Sequence, residues 1–367
     1  MKKKSLYIVG TNGLGVNYGG WDNLLSKITV GLSDKYDIYV YTSKFEAQPG
    51  VVEVNGARIK LIPLKANGFQ SVLYDFAGMV NAVFNRADLV LVLGVSGGIF
   101  FPIFKVFKSK VILNPDGAEW KRSKWNALIK KFLRVSEKLG ILYSDAIICD
   151  SKVISSDVKT TYDRDSHVIE YGGDHVSNIA LQKDTAEKYG IKSNDYAFKV
   201  CRIVPENNID LILEAFSEID NKLLLVGNWN NSTYGTTLRA KYAGYNNLLL
   251  LDPIYDQEVL DELRGNCRLY VHGHSVGGTN PSLVEAMHLG LGCAVFDVNY
   301  NRETTENSAL YFADKQELLD IIAGVWSGRT DIDSVAACMK RIAMRRYLWD
   351  SVVDAYDSVF EESCIQK

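Results

Sequence analysis

Short apolar runs recur throughout this chain, and stretches of helical periodicity lie between most of them. In the first half the runs are residues 6–9, 38–41, 58–62, 89–93, 110–114, 146–149 and 167–170, with helical spacing at 24–32 and 72–84. In the second half they are residues 197–203, 222–226, 248–251, 269–272, 294–298 and 309–312, with helices expected at 211–219, 256–264 and 281–289. Apolar runs alternating with helices require parallel strands joined by right-handed crossovers. The expected fold class is therefore α/β, with one Rossmann-like parallel sheet in each half. Ligands of such sheets bind beyond the carboxyl ends of the strands, so the loops after the strands are where chemistry is expected.

At 367 residues the chain exceeds one ordinary core, which points to two domains. The polar stretch 176–192, after Tyr171-Gly172-Gly173-Asp174, is the expected linker. It divides a domain of residues 1–175 from one of 176–345. The tail, helical over residues 334–361, carries Lys340, Arg341, Arg345, Arg346, Tyr347 and Trp349, and residues 346–367 form a last helical segment. Apolar content of 47% and charged content of 23% are those of a soluble globular protein. A net charge of −3 implies no general attraction to nucleic acid. The six cysteines include no C-x-x-C pair, so reduced thiols in a cytosolic protein are expected. The run at residues 5–10 is too short for a signal peptide. The apolar stretch 89–104 is interrupted by Gly94, Gly97, Gly98 and Pro102 and reads as strand, glycine turn and helix rather than a membrane span.

The loop and helix at residues 277–287, Gly-Gly-Thr-Asn-Pro-Ser-Leu-Val-Glu-Ala-Met, follow one apolar strand and precede another. Pro281 suits the first helical turn, and Thr279 or Asn280 can cap it. Backbone N–H groups at Ser282 and Leu283 and the positive dipole end make this a ready anion site, suited to a diphosphate, with Glu285 one turn further in for a ribose hydroxyl. By itself the loop is equally a structural turn. His272 and His274 sit at the same strand end, and His274 contacts sugar or phosphate or is a hydrogen-bonded structural histidine. Near the N-terminus, residues 10–18 lead into Gly19-Gly20, either a backbone that lets a ligand approach or a tight strand-to-helix turn. Ser96-Gly97-Gly98 follows another strand and reads first as a plain turn.

In Asn114-Pro115-Asp116-Gly117-Ala118-Glu119, two readings stay open. Asp116 is a catalytic carboxylate at a strand end, or Asp116 or Asn114 caps the next helix with Glu119 completing the pair. A helix is expected over residues 119–143, with an apolar stripe of Trp125, Leu128, Ile129, Phe132, Leu133 and Leu139. Lys121, Arg122, Lys124, Lys130, Lys131, Arg134 and Lys138 stand against the single acid Glu137, with Lys105, Lys108 and Lys110 upstream. This imbalance within an acidic chain favours an anionic partner, a membrane inner leaflet or a lipid diphosphate.

Four segments carry a resemblance: Val16-Asn17-Tyr18-Gly19-Gly20, Asn114 to Arg122, Arg202-Ile203-Val204-Pro205-Glu206-Asn207-Asn208, and residues 277–287. In this order the chain resembles the family-four glycosyltransferases of the GT-B fold, and more narrowly their bacterial rhamnosyltransferase-like branch. The resemblance implies two Rossmann-like domains facing across a cleft, with a C-terminal helix crossing back to the first. It implies a nucleotide-sugar donor held by Gly19, Gly20, Arg202, Asn207, Asn208, His274, Thr279, Asn280, Pro281, Ser282, Leu283 and Glu285. Asn17, Tyr18, Asp116, Gly117 and Glu119 would meet the acceptor, with Asp116 and Arg202 in the catalytic roles.

Such a reaction must stabilise a departing diphosphate. Asp163-Arg164-Asp165 has the spacing of a metal-binding pair but lies in a polar stretch away from the other motifs, so no metal and no cofactor are expected. Fixed positive groups take that part, Arg202 foremost. Two departures from the family stand out: Asn207-Asn208 where a lysine is usual, and Gly277 where the first of two paired glutamates is usual. The expected activity is retaining transfer of L-rhamnose from dTDP-L-rhamnose to a polyprenyl-diphosphate-linked saccharide for surface polysaccharide, at the cytoplasmic face of a bacterial plasma membrane. The alternatives are the same fold with a UDP- or GDP-sugar, a GT-B epimerase or phosphorylase, and a sugar-nucleotide-binding scaffold without turnover.

Overall fold

Leu89–Leu93 is buried at every position, as a strand covered by helices on both faces must be. A computed structural model describes residues 3–15, 20–121 and 125–365 of the chain. Its strands form two sheets. The first contains β1 (Lys4–Val9), β2 (Tyr36–Ser43), β3 (Glu53–Val54), β4 (Ala57–Ile62), β5 (Leu89–Leu93), β6 (Lys110–Asn114), β7 (Ala146–Cys149) and β8 (His167–Val168), in the order β3-β4-β2-β1-β5-β6-β7-β8. All its pairings are parallel except β3 with β4. The second contains β9 (Tyr196–Val200), β10 (Lys222–Val226), β11 (Leu248–Leu251), β12 (Leu269–His272), β13 (Cys293–Phe296) and β14 (Leu310–Phe312), all parallel, in the order β11-β10-β9-β12-β13-β14.

Each sheet reverses direction once. The first grows from β1 to one side and resumes with β5 on the other; the second does the same from β9 and resumes with β12. At such a switch point the loops leaving the two central strands diverge and open a crevice.

In the first sheet the helices are α1 (Gly20–Leu32), α2 (Ser71–Phe84), α3 (Phe101–Phe104), α4 (Ala127–Tyr143) and α5 (Lys152–Tyr162). In the second they are α6 (Lys183–Tyr189), α7 (Ile209–Ser217), α8 (Thr233–Lys241), α9 (Gln257–Gly265), α10 (Pro281–His288), α11 (Asn299–Thr304), α12 (Lys315–Trp326) and α13 (Ile332–Arg346). The last, α14 (Trp349–Ile365), belongs with the first sheet. The compact units are Met1–Tyr171 with Trp349–Lys367, and Gly172–Leu348.

The two-residue period of the strands sorts the first core. Leu6, Ile8 and Ile112 point into a cluster with α1 and α14, including Leu25, Ile28, Trp349 and Tyr356. Val9 and Leu113 point the other way, against Gly78 of α2 and Gly140 of α4. So α1 and α14 cover one face, and α2 and α4 the other. Asp357 fixes α14 by accepting from the Tyr36 hydroxyl at 2.8 Å and pairing with Lys35.

Three expectations change. The helix over 119–143 is a single 3-10 turn, Glu119–Lys121, followed by α4. Asn126 starts α4, its side chain accepting from the Ile129 N–H at 3.0 Å, so a good N-cap inside the run resets the helix. The tail helix breaks at Tyr347, whose buried ring donates its hydroxyl to the Thr304 carbonyl at 2.8 Å. Two of the four cations of the tail's basic cluster are compensated there, since Arg345 and Arg346 pair with Glu303 and Glu306 of α11 and its end. Residues 176–192 are anchored rather than slack: they contain α6, and the Ser177 and Gln182 N–H groups donate to Asp261 and Glu262 of α9.

Candidate functional site

The loops after β9 and β12 leave the second sheet at its switch point, and polar side chains tie them together. Asn207, nearly fully buried, donates its Nδ2 to the Arg202 carbonyl at 2.7 Å, and its Oδ1 lies 2.9 Å from His274 Nδ1. Asn208 takes a left-handed backbone, φ +48°, and donates to the Gly273 carbonyl at 2.8 Å. The Ser275 N–H and hydroxyl both donate to the Glu206 carbonyl at 2.9 Å. The amides of Asn207 and Asn208 therefore organise the loops. Arg202 differs: it is exposed, and no hydrogen bond or ion pair holds its guanidinium among the described residues.

Gly277 has φ +127°, and a Cβ there would lie 3.1 Å from His274 Nε2. Backbone and ring together disfavour any side chain, a glutamate included, at this position. Gly277→Ala is expected to cost at least about 1 kcal/mol of stability, read as a lowered unfolding midpoint. An unchanged midpoint contradicts the strained geometry.

The start of α10 is capped as the sequence suggests, by Asn280, whose Oδ1 accepts from the Ser282 N–H at 3.2 Å and hydroxyl at 2.8 Å. The Leu283 N–H already donates to the Asn280 carbonyl at 3.1 Å. The first-turn donors expected to be open are thus engaged, and an anion here competes with the cap for them. Thr279 is buried beside them.

Glu285 is buried, and its Oε2 is ion-paired with Nη1 of Arg264, itself without exposed surface. Arg264 Nη2 donates to Asp261 Oδ1 at 2.9 Å, and Asp261 Oδ2 accepts from the Ser177 N–H at 2.9 Å. Glu285 Oε1 lies 3.3 Å from His175 Nε2. Burial pushes the Glu285 carboxyl up, yet Arg264 and His175 outweigh it and hold the group down at about 2. Glu285 is a fixed carboxylate. At the end of β12, burial holds the His272 imidazole neutral, and its Nε2 has no hydrogen-bond partner among the described residues. Lys199, buried in β9, is pushed down by the same desolvation.

In the first sheet the loop after β1 includes Asn17, Tyr18 and Gly19, which lie outside the described residues, and Gly20 opens α1. After β5, Ser96-Gly97-Gly98 runs into a 3-10 turn and α3. A Cβ on Gly98 would sit 2.3 Å from the Ser136 carbonyl, so α4 packs directly on this loop. Asp75 of α2 accepts from the Ser96 hydroxyl and the Gly97 N–H.

Burial pushes the Asp75 carboxyl up to about 7, against those two donors, which hold it down. An unfolded aspartate loses its proton near about 3.9, so between about pH 4 and 7 the folded chain keeps a proton that the unfolded chain has released. Stability falls as pH rises through that interval and is level above it. Asp75→Asn keeps an acceptor for both donors and removes this loss. Its unfolding midpoint should exceed the wild-type value at about pH 8 and converge with it near about pH 4. A pH-independent difference contradicts a protonated Asp75.

After β6, Asn114 Oδ1 accepts from the Asp116 N–H at 3.0 Å, and Asn114 Nδ2 donates to the Tyr356 hydroxyl at 3.4 Å. Asp116 has φ +59° and is followed by Gly117. Glu119 accepts from Trp125 Nε1 at 3.0 Å, so it closes this loop and completes no capping box on α4. Lys121 and Arg134 both lie over the Trp120 ring, at 5.5 and 5.2 Å. Lys131 is exposed and Lys130 half-buried; Arg122 and Lys124 lie outside the described residues. Asp163 and Asp165 share Lys159 at 3.0 and 3.2 Å on the surface.

Arg264, Asp261, His175 and Asp75 carried no motif. Arg264 and Asp261 lie in the helix expected over residues 256–264, and only the fold turns them inward.

Residues 3–174 match a family described as a domain of unknown function, DUF1972, and residues 182–329 match glycosyl transferases group 1. No curated protein sequence matches the chain. Among solved structures, sucrose-phosphate synthase from Thermosynechococcus elongatus superposes with a TM-score of 0.81 at 14% identity, over 98% of this chain and 99% of that one. Anabaena HepE in complex with UDP gives 0.75 at 15%, over 98% and 100%. A glycosyltransferase from Rickettsia africae gives 0.74 at 14%, over 100% of both. At these identities the likeness carries the fold. The chain therefore has the two-sheet GT-B fold, and its residues 182–329 match glycosyl transferases group 1.

Proposed function

We propose that the chain is a glycosyltransferase that moves a sugar from a nucleotide-sugar donor to a saccharide linked to a lipid diphosphate. The observation that carries this reading is Arg202: an exposed guanidinium, unpaired among the described residues, just past the end of β9, at the switch point of the sheet whose segment matches glycosyl transferases group 1. A guanidinium there can grip a departing diphosphate bidentately and stabilise the charge that develops on it. The start of α10 adds its dipole, Ser282 and Thr279 add hydroxyls, and the Arg264-held carboxylate of Glu285 accepts from ribose hydroxyls. UDP bound to Anabaena HepE supports a nucleotide diphosphate as the ligand class.

The donor is dTDP-L-rhamnose in this reading. A missing glutamate at 277 and a missing lysine at 207–208 leave the sugar held differently from donors that need those groups, with His274 standing in the space of the glutamate. Transfer is retaining and independent of metal: the acceptor hydroxyl attacks from the face the diphosphate leaves, a phosphate oxygen takes its proton, and the protein positions both. Asp116, with Asn17, Tyr18, Gly117 and Glu119, meets the acceptor. Gly19, Gly20, Asn207, Asn208, Asn280, Pro281 and Leu283 shape the donor side. The product feeds surface polysaccharide, made at the inner membrane face with Lys121, Arg122, Lys124, Lys130, Lys131 and Arg134 near the lipid diphosphate.

The anomeric configuration of the first product, read by NMR before equilibration with EDTA present, tests the mechanism. Retention is expected. Inversion, or complete loss of transfer on chelation, contradicts it.

A further inference from the structure

We propose that the outer surface of α2, α3 and α4 enters the interface of an anionic lipid bilayer. The residues that define it are apolar side chains that the fold leaves exposed. Phe69 is 91% exposed, Phe84 83%, Val106 80% and Leu128 80%. Phe84 and Leu128 belong to helical rows, and Phe69 and Val106 lie in the turns just before α2 and just after α3. Along α2, Leu73, Val80 and Phe84 recur at helical spacing in line with Phe69 of the 3-10 turn before it, and Phe76 in the same row packs on Phe100 and Phe104 at ring distances of 4.5 and 6.4 Å. The α2 row is thereby continuous with α3, which adds Ile103 and, just after it, Val106 and Phe107. Monomeric soluble proteins rarely leave such rows contiguous without a partner.

The charge pattern selects the partner. Along α4 the exposed row is Leu128, Lys131, Val135, Lys138 and Leu142, spaced by three and four residues. Apolar and cationic side chains alternate in it, and none is acidic. The exposed row of α2 carries no charge, and Asp75, its acid, is buried. Lys108 adds a cation beside Val106 and Phe107, while Lys105 is paired with Asp145 at 2.9 Å. The cores of protein interfaces are depleted of lysine, whereas lysine interleaved with leucine, valine and phenylalanine suits the boundary of headgroups and acyl chains. No helix among the described residues is long and apolar enough to cross a membrane, so the contact read here lies on the surface of the bilayer.

The inference rests on the membrane-facing part of the proposed function. Its test uses vesicles with neither donor nor acceptor, so it can fail while sugar transfer stands, and the reverse. The full chain is sedimented with vesicles of about 30% phosphatidylglycerol in phosphatidylcholine, and with phosphatidylcholine alone. The triple variant Phe84→Ser, Val106→Ser, Leu128→Ser is run beside it, with its unfolding midpoint checked. Val106→Trp reports depth by its fluorescence.

Expected are binding to the anionic vesicles, a loss of about tenfold or more in the triple variant at unchanged midpoint, and a blue shift of the Val106→Trp emission. Part of the binding should survive about 1 M salt, which screens charge but not burial. No wild-type binding overturns the proposal. So does equal binding by the triple variant with no shift in Val106→Trp, which leaves attraction by charge alone. A dimer in solution that the triple variant abolishes, without vesicle binding, assigns the face to self-association instead.

Discussion

Arg202→Ala is expected to lower kcat/KM for sugar transfer by about a thousandfold while shifting the unfolding midpoint by less than about 2 °C. The two halves of that expectation have one cause. The guanidinium is exposed and held by no described partner, so folding loses little when it goes. It is also the cation at the end of β9, with Asn207 and Asn208 occupied in binding Arg202's own carbonyl and Gly273. A preorganised donor aimed at developing charge is worth about 3–4 kcal/mol, which is the predicted loss. Arg202→Lys keeps the charge but not the fork, so it should recover only part of the activity. Near-normal turnover in Arg202→Ala would mean that the diphosphate is bound elsewhere.

Arg264→Met acts in the opposite way, on stability first. It leaves Glu285 buried at 7% exposure without its cation, a change that costs about 3–5 kcal/mol at neutral pH. Glu285→Gln added to it removes the stranded charge and should restore most of that loss. The pH dependence carries its own sign. Burial favours the protonated carboxyl, but in the wild type Arg264 holds it at about 2, below an ordinary glutamate near about 4.3. Its contribution is therefore present above about pH 4.3 and lost as pH falls toward 2. Without Arg264 the buried carboxyl is pushed up instead, so the variant's deficit shrinks as pH falls from 7 toward 4. Thermal unfolding at several pH values reads this directly. A deficit that does not vary with pH, or that Glu285→Gln fails to relieve, would contradict the pairing.

Much of the fold was legible because parallel strands buried on both faces appear as uninterrupted apolar runs. Residues 89–93, 110–114, 146–149, 222–226, 248–251 and 269–272 are strands with those same limits. Short or polar helices were harder to see: α5, started by Ser151, buries a narrow stripe of Ile154 and Val158, and α8, started by Ser232, shows almost no apolar stripe. The Asn280 cap and the turn at Gly277 were readable because their chemistry is local. Arg264 lies 21 residues from Glu285, and Ser96 lies 21 from Asp75. Neither pairing has a local signature, since it arises only when crossovers bring distant helices and loops to one strand end. For the same reason Glu119 looked like a capping residue, although Trp125 claims its carboxylate.

The most direct test of sugar transfer is a donor panel of dTDP-L-rhamnose, UDP-glucose and GDP-mannose with a polyprenyl-diphosphate-linked saccharide, with and without EDTA. Transfer from dTDP-L-rhamnose alone, unchanged by EDTA, is the predicted result. Transfer from a UDP- or GDP-sugar instead would keep the glycosyltransferase and remove the rhamnose donor. No transfer from any donor, together with no binding of any nucleotide sugar, would contradict the account and leave the capped start of α10 as a structural turn.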